Sequence, residues 1–217
     1  MNTPPESGAR RRPDWTLYLV TDPDMGARPV EAIVRAAVAG GVTAVQLRDK
    51  QATARALVAQ AGRLREILAP RGIALIVNDR LDVALAAGAD GVHLGQDDLA
   101  CADARRIAGP DFLIGISVSS PAEARRAAAD GADVLGVSPV FDTPTKRDTP
   151  KAAGLEGLRA IRRAVRLPLV GIGGLHAGNA AEVRRAGADG IAVVSAIMTA
   201  PDPEAAAREL RSAIAAG

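Results

Sequence analysis

"ALAAGADGVHL", residues Ala84 to Leu94, decides how this chain is read. Small apolar residues run up to a glycine, and a strand-like run follows at once. The glycine stands where a helix needs a left-handed cap, and the run after it fits a strand whose side chains alternate between two faces. The same joint recurs as "AAVAGGVTAVQL" at 36–47, "AAADGADVLGV" at 127–137 and "VRRAGADGIAV" at 183–193. A helix-to-strand unit repeated in this way implies a parallel sheet covered by helices.

Working outward from the joints gives eight strands: "TLYLVTD", "AVQLRDK", "ALIVND", "GVHLGQ", "LIGISV", "VLGVSPV", "LPLVGIGG" and "GIAVVSA". Ala- and Arg-rich stretches with helical periodicity separate them, such as "PVEAIVRAAVAGG", "SPAEARRAAADGA" and "LEGLRAIRRAV", and "DPEAAARELRSAIAA" closes the chain. Eight β/α units in about 200 residues fit a single (β/α)8 TIM barrel near the short end of that fold's range. The alternative, a doubly wound open sheet, calls for a glycine-rich fingerprint after strand one. Here that strand ends "VTDPDMG", without one.

Composition bounds the function. The chain has 217 residues and is 48% hydrophobic but only 2% aromatic, so the core must be built from Val, Ile, Leu and Ala. The net charge is +2, with basic residues spread over helix faces; the one tight cluster, Arg10–Arg12, is a poor argument for nucleic acid. The single cysteine, Cys101, rules out an internal disulfide and reads as a small helix residue. Residues 1–14, "MNTPPESGARRRPD", read as a disordered polar arm without the apolar core of a secretory signal, leaving 15–217 as the catalytic domain. No run approaches the ~18 apolar residues of a membrane span. A cytoplasmic protein, with no nucleic-acid or membrane partner, is the expectation; a homo-oligomer is compatible with it.

In a TIM barrel the site lies at the C-terminal ends of the strands. In "VQLRDK", Val45, Leu47 and Asp49 share one face, and Gln46, Arg48 and Lys50 share the other. Val45 and Leu47 suit the helix-facing side, so the three polar side chains point to the barrel interior or mouth. Two cations there require an anion. Strand three ends in Asn78 and Asp79, and strand four leads into Gln96, Asp97 and Asp98. Asp79 and one of Asp97 or Asp98 can meet above the barrel, where a carboxylate pair suits Mg²⁺. The competing reading makes these aspartates N-caps of the next helices. Ser117 ends strand five, and Ser119 or Ser120 caps the helix that starts at Pro121. Gly173 and Gly174 end strand seven and permit close backbone approach to a phosphate. His93 in a strand and His176 in a loop are less promising: no zinc spacing or nucleophile elbow occurs. The long loop "VFDTPTKRDTPKAAG", 140–154, adds Thr143, Thr145 and Lys146. The ensemble suggests two phosphate sites, one for a pyrophosphate leaving group.

These residues carry a resemblance. "QLRDK", "ND", "HLGQDD", "IGIS", "TPTK", "GIGG" and "VVSAI", in this order, resemble the thiamine-phosphate synthase family over nearly the whole chain. The resemblance implies a transferase that joins 4-amino-5-hydroxymethyl-2-methylpyrimidine diphosphate to a thiazole monophosphate, releasing pyrophosphate by a dissociative, Mg²⁺-assisted substitution. It implies that Gln46, Arg48, Lys50, Asn78, Ser117 and Lys146 bind the pyrimidine diphosphate, with Arg48, Lys50, Ser117 and Lys146 catalytic. It assigns Mg²⁺ to Asp79 and Asp98, and the thiazole phosphate to Thr143, Thr145, Gly174, Val194 and Ser195. It makes the loop after strand six a lid. The chain departs from the family pattern at Ser119 and Ser138, neither a ligand position. The related thiazole tautomerase is a rival, but it uses a histidine where Ser119 stands and lacks the paired aspartate ends. A silent thiazole-phosphate-binding regulatory barrel is a second rival, against which Asp79 and Lys146 both stand. A generic phosphosugar barrel would leave the "QLRDK" cations unexplained.

Overall fold

The structure, a computed structural model, describes residues 13–26, 28–142 and 152–217. Eight strands, β1 (Leu17–Val20), β2 (Ala44–Leu47), β3 (Ala74–Asn78), β4 (Gly91–Leu94), β5 (Leu113–Val118), β6 (Val134–Val137), β7 (Leu169–Ile172) and β8 (Gly190–Val193), close in sequence order into a parallel barrel. The helices are α1 (Val30–Ala39), α2 (Ala54–Leu68), α3 (Leu81–Ala87), α4 (Cys101–Ala108), α5 (Pro121–Ala129), α6 (Gly154–Ala164), α7 (Ala177–Arg185), a short α8 (Ser195–Met198) and α9 (Pro203–Ala215). This is the single (β/α)8 barrel expected of the repeated joint.

Two apolar layers follow from strand alternation. Leu19, Val45, Leu47, Leu75, Val77, Val92, Ile114 and Leu135 face the helices in one large core. Tyr18, Val20, Ala44, Ala74, Ile76, Val134, Val170 and Ala192 fill the barrel interior. Small residues dominate the second set because eight inward-pointing side chains share a narrow space. The two aromatic residues near its base, Trp15 and Tyr18, pack edge to face at 5.4 Å.

The repeated joint does more than turn the chain. Gly88 caps α3 in the left-handed region at φ 60°, and Gly41, Gly131 and Gly187 also have positive φ. The residue next to the following strand then bonds back across the barrel floor. Thr43 Oγ1 accepts from Leu17 N at 3.0 Å, Asp90 from Leu75 N at 2.8 Å, Asp133 from Ile114 N at 2.9 Å and Asp189 from Leu169 N at 2.8 Å. Each odd-numbered strand thus has an N–H held by the side chain that precedes the next strand. Arg105 and Arg162 pair with Asp133 and Asp189. The floor is thereby a stability framework, leaving the opposite rim for chemistry.

The expected arm, 1–14, lies outside the described residues up to Arg12. Asp14 is already tied down, accepting from Thr16 N at 2.8 Å and lying 3.5 Å from Arg211. Among the described residues no helix is long and apolar enough to cross a membrane.

Candidate active site

The strand ends converge as the alternation requires. Tyr18, Val20, Gln46, Arg48, Asn78, His93, Ser117, Val134, Gly136, Val170, Ile172, Ala192 and Val194 line a mouth cavity. Its floor is mostly apolar, and its polar groups sit to one side. Gln46 is buried, and its Nε2 lies 3.0 Å from the Tyr18 hydroxyl. Burial pushes the Tyr18 hydroxyl pKa well above the usual tyrosine value, so it stays a neutral donor and acceptor.

The rest of the "QLRDK" segment lies just past β2. Arg48 Nη1 donates to Asp22 Oδ2 at 2.7 Å, and both side chains are largely buried. Asp49 serves the backbone, accepting from Gln51 N and Ala52 N. Lys50 is exposed, with Nζ 4.0 Å from Asp79 Oδ2. Lys50, Asp49, Asn78, Asp79 and Arg80 line a second depression. Asn78 lines both, so the apolar cavity and the charged depression meet at the end of β3.

Neither candidate metal aspartate is a helix cap. The N-cap residues of α3 and α4 are Arg80 and Ala100, and neither makes a side-chain capping bond. Asp79 instead adopts φ 61°, a left-handed conformation that costs a non-glycine residue energy, though aspartate tolerates it better than most. Its N–H donates to His93 O at 2.8 Å, carrying the β3–β4 ladder one residue further. Asp98 Oδ2 accepts from Gly95 N at 2.7 Å, so the turn after β4 folds its carboxylate back toward the strand end. Asp79 and Asp98 therefore leave the ends of two hydrogen-bonded strands. Among the described residues no group of three or more His, Cys, Asp or Glu gathers around a common point. A cation here would take one or two carboxylates and complete its shell with ligand oxygens and water, which is the habit of Mg²⁺ rather than of zinc.

His93 was underrated by sequence reasoning. Its Nε2 lies 3.0 Å from Ser117 Oγ, and the ring sits over Gly115 and Gly136 of the two next strands. A Cβ at Gly115 would come within 2.5 Å of the ring. Glycines on two neighbouring strands were the signal for a bulky inward side chain beside them. Gln96 Nε2 donates to Ser117 O at 2.7 Å, holding the other side of the same residue. Ser120, rather than Ser119, caps α5, and Ser119 instead bonds to the Glu123 carboxylate. His176 caps α7.

The opposite side of the mouth carries the glycines. Gly173 and Gly174 have φ of 99° and 65°. A side chain at Gly173 would meet Pro139 at 2.7 Å, and one at Gly174 would meet Asp142 O at 2.9 Å. The exit of β6 can lie against them only because they are glycines. Val194 precedes the short α8 that begins at the exposed Ser195. Thr143, Thr145 and Lys146 lie outside the described residues. The flanks of that segment are anchored at the mouth: Val140 N and Phe141 N donate to Ile172 O and Gly173 O, while Ala153 N and Gly154 N donate to Pro139 O and Val140 O. Cys101 is buried in α4, away from the mouth, with its thiol pushed up to about 11, chiefly by burial and then by Asp130.

With this geometry in place, likeness to known proteins carries weight. The family model described as thiamine monophosphate synthase matches residues 17–197. The chain is 57% identical over 204 residues to the thiamine-phosphate synthase of Xanthobacter autotrophicus, covering 94% of this chain and 97% of that one. It is 56% identical over 199 residues to that of Albidiferax ferrireducens, covering 91% of each. A solved thiamine phosphate pyrophosphorylase from Pyrococcus furiosus superposes with a TM-score of 0.86 at 42% identity, covering 93% and 96% of the two chains. A 3-hexulose-6-phosphate synthase, 22% identical with a TM-score of 0.67, shares the fold alone.

Proposed function

Since the chain belongs to the thiamine monophosphate synthase family, we propose how its barrel mouth divides the work of a thiamine-phosphate synthase. The activity is that of a transferase of thiamine biosynthesis. The substrates proposed are 4-amino-5-hydroxymethyl-2-methylpyrimidine diphosphate and a thiazole monophosphate. One observation carries the reading: Asn78 lines both a largely apolar cavity and a charged depression. A flat pyrimidine suits the first, above Tyr18, Val170 and Ala192. Its diphosphate suits the second, toward Lys50 and Asp79.

In this reading Gln46 addresses the ring, while Arg48, Lys50, Asn78, Ser117 and Lys146 hold the diphosphate. The bond from the pyrimidine methylene to the diphosphate oxygen breaks, and its electron pair leaves with pyrophosphate. Arg48, Lys50 and Lys146 take up the charge that develops on the leaving oxygens. The aminopyrimidine ring spreads the positive charge left on the methylene carbon. The thiazole nitrogen then supplies its lone pair for the new C–N bond, its phosphate held by Thr143, Thr145, Gly174, Val194 and Ser195. No proton must be removed for that step, so the contact between His93 Nε2 and Ser117 Oγ at 3.0 Å is not called on as a base and nucleophile. Asp79 and Asp98 would hold Mg²⁺, which when bound neutralises part of the pyrophosphate charge.

The reading places the enzyme in the cytoplasm, acting on small molecules. Its test is charge removal at β3 and β4. Asp79→Asn and Asp98→Asn should each lower turnover ~10²-fold or more, with melting temperature little changed. Full activity of both variants, or of the parent enzyme in excess chelator, would refute the metal assignment.

A further inference from the structure

Strand β1 leads directly into Thr21-Asp22, a pair with no part in the reading above. Apart from aromatic residues and cysteine, the buried polar or charged residues among those described are Thr21, Asp22 and Gln46. All three gather around Arg48. Thr21 N donates to Gln46 O at 2.9 Å, aligning the two strand ends. The Thr21 hydroxyl then meets both backbone groups of Arg48: Arg48 N donates to Oγ1 at 3.0 Å, and Oγ1 donates to Arg48 O at 3.2 Å. Asp22 takes the side chain, with Oδ2 accepting from Arg48 Nη1 at 2.7 Å and Oδ1 accepting from Asp24 N at 3.1 Å. Backbone and guanidinium of one arginine are thus both set by the two residues that follow the neighbouring strand.

We propose that Thr21 and Asp22 form a cradle that holds Arg48 ready for the diphosphate, with Asp22 as a positioning residue for the reaction. The inference rests on the reading of Arg48 as a diphosphate ligand. The chemistry of each position supports it. A valine at 21 would keep the shape of threonine and lose both backbone bonds. An asparagine at 22 offers one acceptor oxygen where the site presents two donors. Arg48 is largely buried, and a buried guanidinium without a counterion is costly, so Asp22 lets it wait in place before substrate arrives. A guanidinium has five N–H groups, and Asp22 engages one edge of the fork. The buried Nε has no hydrogen-bond partner among the described residues, so donor capacity is left at a group that lines the cavity. An arginine already ordered loses little side-chain freedom when it meets a phosphate. It also needs no reorganisation as charge moves onto the leaving group.

A double-mutant cycle on the full chain tests this. Asp22→Ala should lower kcat/KM for the pyrimidine diphosphate about tenfold or more, the scale of a lost charge-assisted hydrogen bond. KM for the thiazole phosphate should stay within about twofold. Thr21→Val should act in the same direction. In an Arg48→Ala background, Asp22→Ala should cost less than about twofold, because the residue it positions is gone. If that background is too slow to assay, the dissociation constant of inorganic pyrophosphate with Mg²⁺, read by calorimetry, runs the same cycle. Equal losses in both backgrounds, or a rise in the KM of the thiazole phosphate as large as that of the pyrimidine diphosphate, would overturn the cradle, since a merely structural Asp22 gives that pattern. If Asp22→Ala fails to fold, Asp22→Asn keeps the size and one acceptor, and the same non-additivity must appear. A wild-type-like Arg48→Ala would instead overturn the underlying reading of Arg48.

Discussion

A methyl group at Gly115 has nowhere to go. Gly115 lies in β5, and a Cβ there would stand 2.5 Å from His93 Nδ1 and 3.3 Å from Cγ and Cε1. The ring has little room to retreat, because it already lies so close to Gly136 on β6 that a Cβ there would be 3.0 Å from its Cε1, and its Nε2 is 3.0 Å from Ser117 Oγ. Gly115→Ala must therefore tilt the imidazole or part the strands. Overpacking of this kind costs about 1–3 kcal/mol, offset by roughly 0.4–1 kcal/mol from the reduced freedom of the unfolded chain. A net loss of about 1–2 kcal/mol lowers Tm by roughly 2–8 °C in a domain of this size. Thermal unfolding followed by circular dichroism measures it. Displacing His93 also releases Ser117, so turnover should fall about tenfold, a loss of ~1.4 kcal/mol. In a His93→Ala background the clash is gone, and Gly115→Ala should leave Tm nearly unchanged. An unaltered Tm for Gly115→Ala, or the same drop in both backgrounds, would refute the packing argument.

Two further outcomes are expected. Thr145→Ala should mainly raise the KM of the thiazole phosphate, whereas Lys146→Ala should mainly lower kcat, as its charge matters most when pyrophosphate departs; steady-state kinetics in each substrate checks both, and a Lys146→Ala effect confined to the thiazole KM would remove that lysine from the diphosphate. Cys101, with its thiol raised to about 11 by burial, should resist a thiol-labelling reagent at pH 8 until the protein unfolds, and rapid labelling of the native protein would contradict its placement in α4.

The fold was legible because its punctuation is local. Glycine at the four repeated joints and alternation within the strands depend on neighbours in sequence, so all eight strands could be found. The strand readings overran at their C-terminal ends, as with "TD" after β1, "RDK" after β2, "SPV" after β6 and "GG" after β7, because the chain continues past the strand ends into the loops of the rim. The inward side of Gln46 followed from its apolar neighbours Val45 and Leu47. What escaped were relations across strands. Asp22 belonged to a segment read for the glycines it lacks, and its pairing with Arg48 needs the β1–β2 register. His93 gains meaning only when Gly115 and Gly136 are known to lie beside it. Asp90, Asp133 and Asp189 were visible as part of a repeat, but their bonds to the preceding odd strands appear only in the closed barrel. For Asp79 and Asp98, sequence left capping and metal binding in competition, and the cap positions of α3 and α4 remove capping as their role.

Pyrophosphate release is the most direct measurement of the central claim. The purified protein is given the pyrimidine diphosphate, the thiazole monophosphate and Mg²⁺, singly and together, and both pyrophosphate and thiamine phosphate are quantified. The account predicts the two products in equal amounts, with rapid turnover only when all three components are present. Sustained absence of both products from the complete mixture, or pyrophosphate release without any thiamine phosphate, would contradict it.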